Sequence, residues 1–399
     1  MKSMEIAKGV YEVGVSDWNI RDFHGYSTGN GSTYNAYLIV DEKIVLIDTV
    51  KASFYPQLME NISRIVDPKK IDIVISNHTE MDHSGSIPMV MHRIGPDKPL
   101  YCSKMGFKNL SLHFPQKFNY HPVEKGETLN LGKRTLTFME TRMIHWPDSM
   151  FTYLNEDRIL FSSDAFGQHY AGPERFDDEI DHEVIMPHAE KYFANILLLY
   201  APKIGKLIDQ VVEMGLPLDM VCPDHGIIWR KDPSKIINAY VKWCKQEPVK
   251  RAVVVYDSMW HSTEKMAEAI VDGFVAEGVP AKPMHLRSCH RSDVITEVMS
   301  AAAVVVGSPT LNNGLFPTVS DFLTYMKGLK PKNKIGGAFG SYGWSGEASK
   351  LVKTELESMG FQMADENLKV QYVPDAAGID ACHELGAKIG RAVKETVSD

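Results

Sequence analysis

Six consecutive residues, His78-Thr79-Glu80-Met81-Asp82-His83, hold four side chains able to donate an electron pair to a metal ion. They follow an apolar run at 71–76 that reads as a buried strand, so the donors stand at its C-terminal end. Imidazoles and carboxylates this close together form a compact donor set for a divalent transition metal. A solvated polar loop has a similar composition, but three further donors occur in matching positions. His145, in His-Trp-Pro-Asp, follows the strand pattern at 134–140; Asp164, in Ser-Ser-Asp-Ala-Phe-Gly, follows the one at 158–162. His225, in Pro-Asp-His-Gly, follows Met220-Val221. Each candidate thus lies where a strand ends, and one rim of a sandwich can collect them all.

A second constellation lies in the other half of the chain. After the apolar run at 252–256, Asp257-Ser258-Met259-Trp260-His261-Ser262-Thr263 opens a helix. Hydroxyls beside free N–H groups at a helix start form an anion site. The loop has neither a Walker lysine nor a GxGxxG pattern, which disfavours a nucleoside triphosphate or a dinucleotide. A bare N-cap would also explain Ser262 and Thr263. Two more loops follow buried strand patterns: Gly307-Ser308-Pro309-Thr310-Leu311-Asn312-Asn313-Gly314 and Gly340-Ser341-Tyr342-Gly343-Trp344-Ser345-Gly346. Open α/β sheets bind ligands at these strand ends. Tyr342 and Trp344 are candidates for stacking on a flat ligand, with core packing as the alternative.

The elements that must position these residues differ between the halves. The polar stretch at 246–250, with Pro248, is the expected boundary. Beyond it, apolar runs at 252–256, 303–307 and 334–339 alternate with helical patterns at 264–276, 318–327 and 347–359, and a last helix is expected over 380–397. That alternation predicts a parallel sheet covered on both faces. Before it, a hairpin at 34–40 and 44–48 and helices at 53–65, 87–93, 189–200 and 233–244 fit two sheets between helices. With 399 residues, two domains are expected, 1–248 and 249–399. A formal charge of −8 without a basic block argues against a nucleic-acid partner. Five scattered cysteines, never in a CxxC pair, fit a reduced cytoplasmic setting. No stretch approaches a membrane span.

The donor set resembles that of the metallo-β-lactamase superfamily, over about residues 1–248. Its HxHxDH motif, followed by His, Asp and His, builds a dinuclear site. Glu80 stands where a zinc hydrolase of that superfamily has its second His. A carboxylate there hardens the ligand set and favours iron. The HxExDH form is the signature of the flavodiiron proteins. The resemblance implies one iron held by His78, Glu80 and His145, a second held by Asp82, His83 and His225, and Asp164 bridging both. Residues 250–397 are similar to flavodoxin, which implies FMN. Its phosphate loop would be Ser258–Thr263, with Trp260 and His261 replacing the usual Thr and Gly. The ring loops would be Ser308, Pro309, Thr310, Leu311 and Asn312, and Ser341, Tyr342, Gly343, Trp344, Ser345 and Gly346.

The fold implied is an αββα sandwich followed by a flavodoxin-like, doubly wound parallel sheet. The activity implied is reduction of dioxygen to water, of nitric oxide to nitrous oxide, or of both. A diferrous pair and a reduced flavin together hold the four electrons that dioxygen needs. The donor implied is rubredoxin or a similar carrier, expected as a separate protein because the chain ends at Asp399. A head-to-tail homodimer, alone or as a dimer of dimers, is also implied. His24, His169 and Tyr192 are candidates for delivering protons. The rival readings are a zinc hydrolase fused to a flavodoxin-like domain, which Glu80 disfavours, and a simple electron carrier.

Overall fold

The computed structural model describes residues 3–397 except 214, 365 and 366. It divides into two compact units: one of residues 1–24, 28–192 and 200–241, the other of 25–27, 193–199 and 242–399. The dividing point after Val241 lies a few residues before the polar stretch at 246–250. Two short earlier segments also belong to the second unit. Asn195 explains one of them: its side chain donates to the Ser292 carbonyl at 3.0 Å and accepts from the Tyr325 hydroxyl at 2.9 Å.

The first unit contains a seven-stranded and a five-stranded sheet. The centre of the larger one is formed by Tyr37–Val40, Ile44–Ile47 and Ile73–Ser76. The first pair is antiparallel and the second parallel. Alternation sends Tyr37, Ile39, Val45, Ile47, Ile73 and Ile75 into one core with Leu136, Phe138, Leu154 and Phe161 of the smaller sheet. Leu38, Leu46 and Val74 point the other way, onto Leu58, Ile62, Val90 and Met91 of covering helices. Both faces are buried, which is why these strands read as continuous apolar runs. In the smaller sheet, Thr135–Glu140, Met150–Leu154, Ile159–Phe161 and Met220–Cys222 lie in that order.

The helix expected over 189–200 is laid out differently. An α-helix, His182–Tyr192, gives way to a π-helical turn, Phe193–Leu197, and a 3₁₀ turn, Leu198–Tyr200. A further helix, Ala201–Glu213, carries the apolar stripe Ile204 and Ile208. Tyr192 is buried, as are Phe193, Ala194, Asn195 and Leu197 of the π-helical turn.

In the second unit the parallel strands run Ala281–His285, Val249–Tyr256, Ala301–Gly307, Ile335–Tyr342, Gln362–Met363. The order 2-1-3-4-5 is the flavodoxin-like doubly wound arrangement, with its switch point beside the first strand. Helices Ser262–Ala276 and Ala376–Thr396 pack together through glycine. A methyl added at Gly386 would lie 2.0 Å from the Ile270 carbonyl oxygen, and one at Gly273 the same distance from that of His383.

Gly386→Ala is expected to destabilise the second unit by ~1–3 kcal/mol through overpacking. Gly328→Ala, within helix Pro317–Leu329 and with nothing within 4 Å of the added carbon, should be neutral or stabilising. Urea midpoints read through hydrogen exchange of the Val249–Tyr256 amides check both. Lys334 yields a second expectation. Its ammonium is buried and donates to the Met299 carbonyl at 2.9 Å. Burial, then the Arg251 charge, lowers its pKa from 10.5 to about 7. Between those values the unfolded chain binds a proton that the folded chain does not, so this residue makes stability rise with pH across that window. Lys334→Met should therefore stabilise most at pH 7 and below, with the difference from wild type fading toward pH 10.5 in a urea-unfolding series.

Candidate metal centre and flavin cleft

Backbone and hydroxyl contacts fix the loop after Ile73–Ser76 before any metal is considered. The Asn77 N–H donates to the buried Asp48 carboxylate at 2.8 Å. The Ser76 hydroxyl donates to the His78 carbonyl at 2.9 Å, Ser84 to the Thr79 carbonyl at 2.8 Å, and Thr49 to the His83 carbonyl at 2.6 Å. His78, Asp82 and His83 are fully or almost fully buried, and Glu80 stands at the partly open edge.

All seven donors named from the sequence converge. His145 Nε2 lies 2.7 Å from Asp164 Oδ2 and 3.2 Å from Glu80 Oε2, and His78 Nε2 lies 3.5 Å from Asp164 Oδ1. On the other side, His83 and His225 face one another with Nε2 atoms 3.1 Å apart. They lie 3.3 and 3.2 Å from Asp82 Oδ2, and 3.6 and 3.7 Å from Asp164 Oδ1. The ligand atoms of His78, Glu80, His145 and Asp164 fall within 4.8 Å of one another, as do those of Asp82, His83 and His225. Asp164 turns Oδ2 to His145 and Oδ1 to His78, His83 and His225.

His78 Nε2, both Asp82 oxygens and Asp164 Oδ1 are buried without hydrogen-bond geometry. Carboxylates out of water need positive charge or donors. Borderline nitrogen donors among hard oxygens are the set a divalent iron takes, so the residues fit a dinuclear metal site. Burial opposes charge on His78 and His145, yet Asp164 dominates, lifting His78 well above the ordinary imidazole value and, with Glu80, raising His145 to about 9. Burial likewise opposes charge on Asp164, and His78 and His225 overcome it, holding the carboxyl well below its usual range.

Outer contacts aim the rings. His225 Nδ1 donates to the Thr33 carbonyl at 2.6 Å, leaving Nε2 for the centre. His78 Nδ1 meets the Ser163 hydroxyl at 3.1 Å and Asp224 Oδ2 at 3.6 Å. Asp224 therefore faces the ring edge opposite the metal-facing nitrogen and serves as an orienting partner. Sequence reasoning assigned no role to Asp224 or Asp48, though Asp224 stands beside His225 in a motif already noted. Of the candidate proton donors, His169 and Tyr192 are buried, with ring centroids 4.7 and 5.9 Å from that of His225. His24 is largely exposed, its Nε2 3.8 Å from Glu80 Oε1.

In the second unit, a cleft of about 460 Å³ is lined by Met259, Trp260, Ser262, Pro309–Asn313, Ser341–Ser345, Tyr372 and Val373. Ser258, His261, Thr263, Ser308 and Gly346 do not line it. Thr263 and Ser341 hydroxyls bond to each other at 2.8 Å, and the Ser308 hydroxyl accepts from the Phe316 N–H at 3.0 Å. These two hold loops together. Asn313, Tyr372 and Val373 complete the lining; the last two follow the short strand Leu368–Gln371, which the sequence reading did not identify. The Ser258 hydroxyl is buried without a partner, and His261 makes no side-chain cap at the start of helix Ser262–Ala276. Those unclaimed groups suit a phosphate, and Trp260 and Trp344, almost fully exposed, suit the faces of a flat ring.

The sandwich with its dinuclear donor set and the flavodoxin-like sheet define a two-cofactor protein class. Comparison with known proteins agrees. The family model described as ODP family beta lactamase matches residues 33–226, and the flavodoxin model matches 254–386. The chain is 47% identical to "Nitric oxide reductase" of Moorella thermoacetica, covering 98% of each. It superposes with TM-score 0.98 on rubredoxin oxygen:oxidoreductase from Desulfovibrio gigas, at 44% identity over the whole of both chains. The flavodiiron protein from Giardia intestinalis gives TM-score 0.95 at 34% identity, covering 99% of this chain and 98% of that one. This chain belongs to the flavodiiron protein family.

Glu80→His should restore the zinc-type donor set, raise zinc content and lower iron content in protein grown with both metals, as measured by elemental mass spectrometry. Unchanged metal content would remove Glu80 as the selecting residue.

Proposed function

We propose that this chain reduces dioxygen to water, nitric oxide to nitrous oxide, or both, at a diiron site that receives electrons through FMN. The observation that carries the reading is the shared carboxylate, Asp164, between two imidazole pairs with Glu80 completing one side. On this reading His78, Glu80 and His145 would hold one iron, Asp82, His83 and His225 the other, and Asp164 would be shared between them. Iron would supply reversible redox chemistry, and FMN would supply paired electrons.

The chain's own groups bind, orient and handle protons. Thr33 and Asp224 keep two ligand rings in register. Burial holds the His169 pKa well below the ordinary value, so its imidazole is neutral. Tyr192 presents a buried hydroxyl without a partner. These two, with His24 at the exposed edge, are proposed to hold and relay protons. In the flavin cleft, Ser262 and the first-turn N–H groups would hold the phosphate, with the buried Ser258 hydroxyl behind the same loop, and Trp260 and Trp344 would cover the ring.

The relatives' names make rubredoxin or a similar carrier the proposed donor. No helix among the described residues is long and apolar enough to cross a membrane. The free cysteines support a cytoplasmic setting. A head-to-tail homodimer, alone or doubled, is proposed to bring the flavin of one copy to the irons of another. Two surfaces support it: the exposed tryptophans at the flavin cleft, and an open depression of about 650 Å³ lined by His145, Trp146, Leu112 and Tyr200.

Mixing two inactive chains tests activity and assembly together. Asp164→Ala removes the bridge, while Ser262→Glu sets a negative charge beside the flavin phosphate. Each variant alone should show no gas reduction with a reduced donor. Mixed dimers should recover one working site of two, because a two-fold operator pairs the intact flavin of one chain with the intact irons of the other. Wild type without turnover on either gas would overturn the activity. Inactive mixtures with normal iron and FMN loading would overturn the cross-subunit arrangement.

A further inference from the structure

The first unit contains a cavity of about 150 Å³ that shares no lining residue with the open depression at His145. None of its lining side chains can form a hydrogen bond. Its inner end is formed by Ile144 and Ala165, the chain neighbours of His145 and Asp164. Both are buried, as are Phe166 and Ile208 behind them. Its outer end reaches Val212, which is 68% exposed.

The polar backbone at the inner end is already engaged. The Phe166 N–H donates to the Tyr240 hydroxyl at 2.7 Å, and its carbonyl accepts from the Trp229 indole N–H at 2.9 Å. A water inside would find no side-chain partner, and aliphatic cavities of this size take up xenon or benzene. We propose that this cavity is a binding chamber for uncharged diatomic gas, taking substrate from solvent at Val212 and holding it behind the His145 and Asp164 segments. The occupant follows from the lining. A chamber with no dipole to offer selects against water and ions and admits small apolar molecules. It discriminates little between dioxygen and nitric oxide, because neither asks for a hydrogen bond. The substrate assignment rests on the function proposed above; the gas-binding chamber itself does not.

The tests separate those two layers. Xenon-pressurised crystals of the loaded wild-type protein should show xenon between Ile144 and Ile208, whatever the protein's activity. Crystals without xenon there would overturn the chamber. Ile208→Phe fills the cavity from inside, and Val212→Trp, on the exposed helix surface, covers its mouth with little risk to folding. Both variants should raise KM for dioxygen and for nitric oxide together, several-fold, with kcat at saturating gas, iron content and flavin content unchanged. If wild type reduces neither gas, the proposed function fails while the xenon result still stands. If wild type turns over, and Val212→Trp excludes xenon yet leaves both KM values unchanged, the chamber's substrate role is overturned.

Discussion

Asp164 is buried with four imidazoles within 3.7 Å of its carboxylate oxygens, and Asp82 and Glu80 complete the same enclosure. Asp82 and Asp164 are withdrawn from water and Glu80 lies at the partly open edge; such carboxylates are destabilising without positive charge, whether it comes from protonated histidines or from a metal ion. The arrangement of the first unit follows from that electrostatic requirement. The donors must approach closely, and each must be held by something other than the donors themselves.

The sandwich meets this requirement because its loops leave from one rim. Ile73–Ser76, Ile159–Phe161 and Met220–Cys222 are buried on both sides, Thr135–Glu140 buries one face through Leu136 and Phe138, and all are paired in register with neighbours. Short loops leave their ends already aimed. A second layer of contacts removes the remaining freedom: Asp48 pins the Asn77 amide, Thr33 pins His225, and Asp224 with Ser163 pins His78. Orientation by partners outside the metal sphere is the usual way a protein fixes which ring nitrogen faces an ion.

The flavodoxin-like unit handles charge in the opposite manner. It leaves N–H groups at the start of one helix and a serine hydroxyl unclaimed, an arrangement that attracts an anion rather than a cation. Its aromatic residues at the cleft, Trp260 and Trp344, are kept on the surface at a cost in exposed apolar area, which makes sense for residues that cover a ring or a partner. Two kinds of redox group therefore call for two kinds of strand end. One gathers side-chain donors, and the other gathers backbone and hydroxyls.

Much of this was legible in the residues alone. The continuous apolar runs gave Ile73–Ser76, Val249–Tyr256, Ala301–Gly307 and Ile335–Tyr342, because a strand buried on both faces has no other way to look. The half-exposed strands Ala281–His285 and Leu368–Gln371 carry no such run and escape that reading. The donors were legible because His, Glu and Asp at strand ends have few structural reasons to recur. Glu80 is the residue on which the proposal of iron rather than zinc rests, since a single ligand type alters hardness and charge. Tertiary structure decided what depends on contacts distant in sequence. Only the fold shows that Asp164 lies within reach of histidines from both clusters, that Asp224 and Asp48 support the centre, and that Tyr372 and Val373 close the flavin cleft. Only the fold shows that Phe193–Leu199 leaves the helical line to join the second unit, where Asn195 finds its partners. Local pattern reports which face of an element is apolar; which groups meet across tens or hundreds of residues is settled when the elements pack.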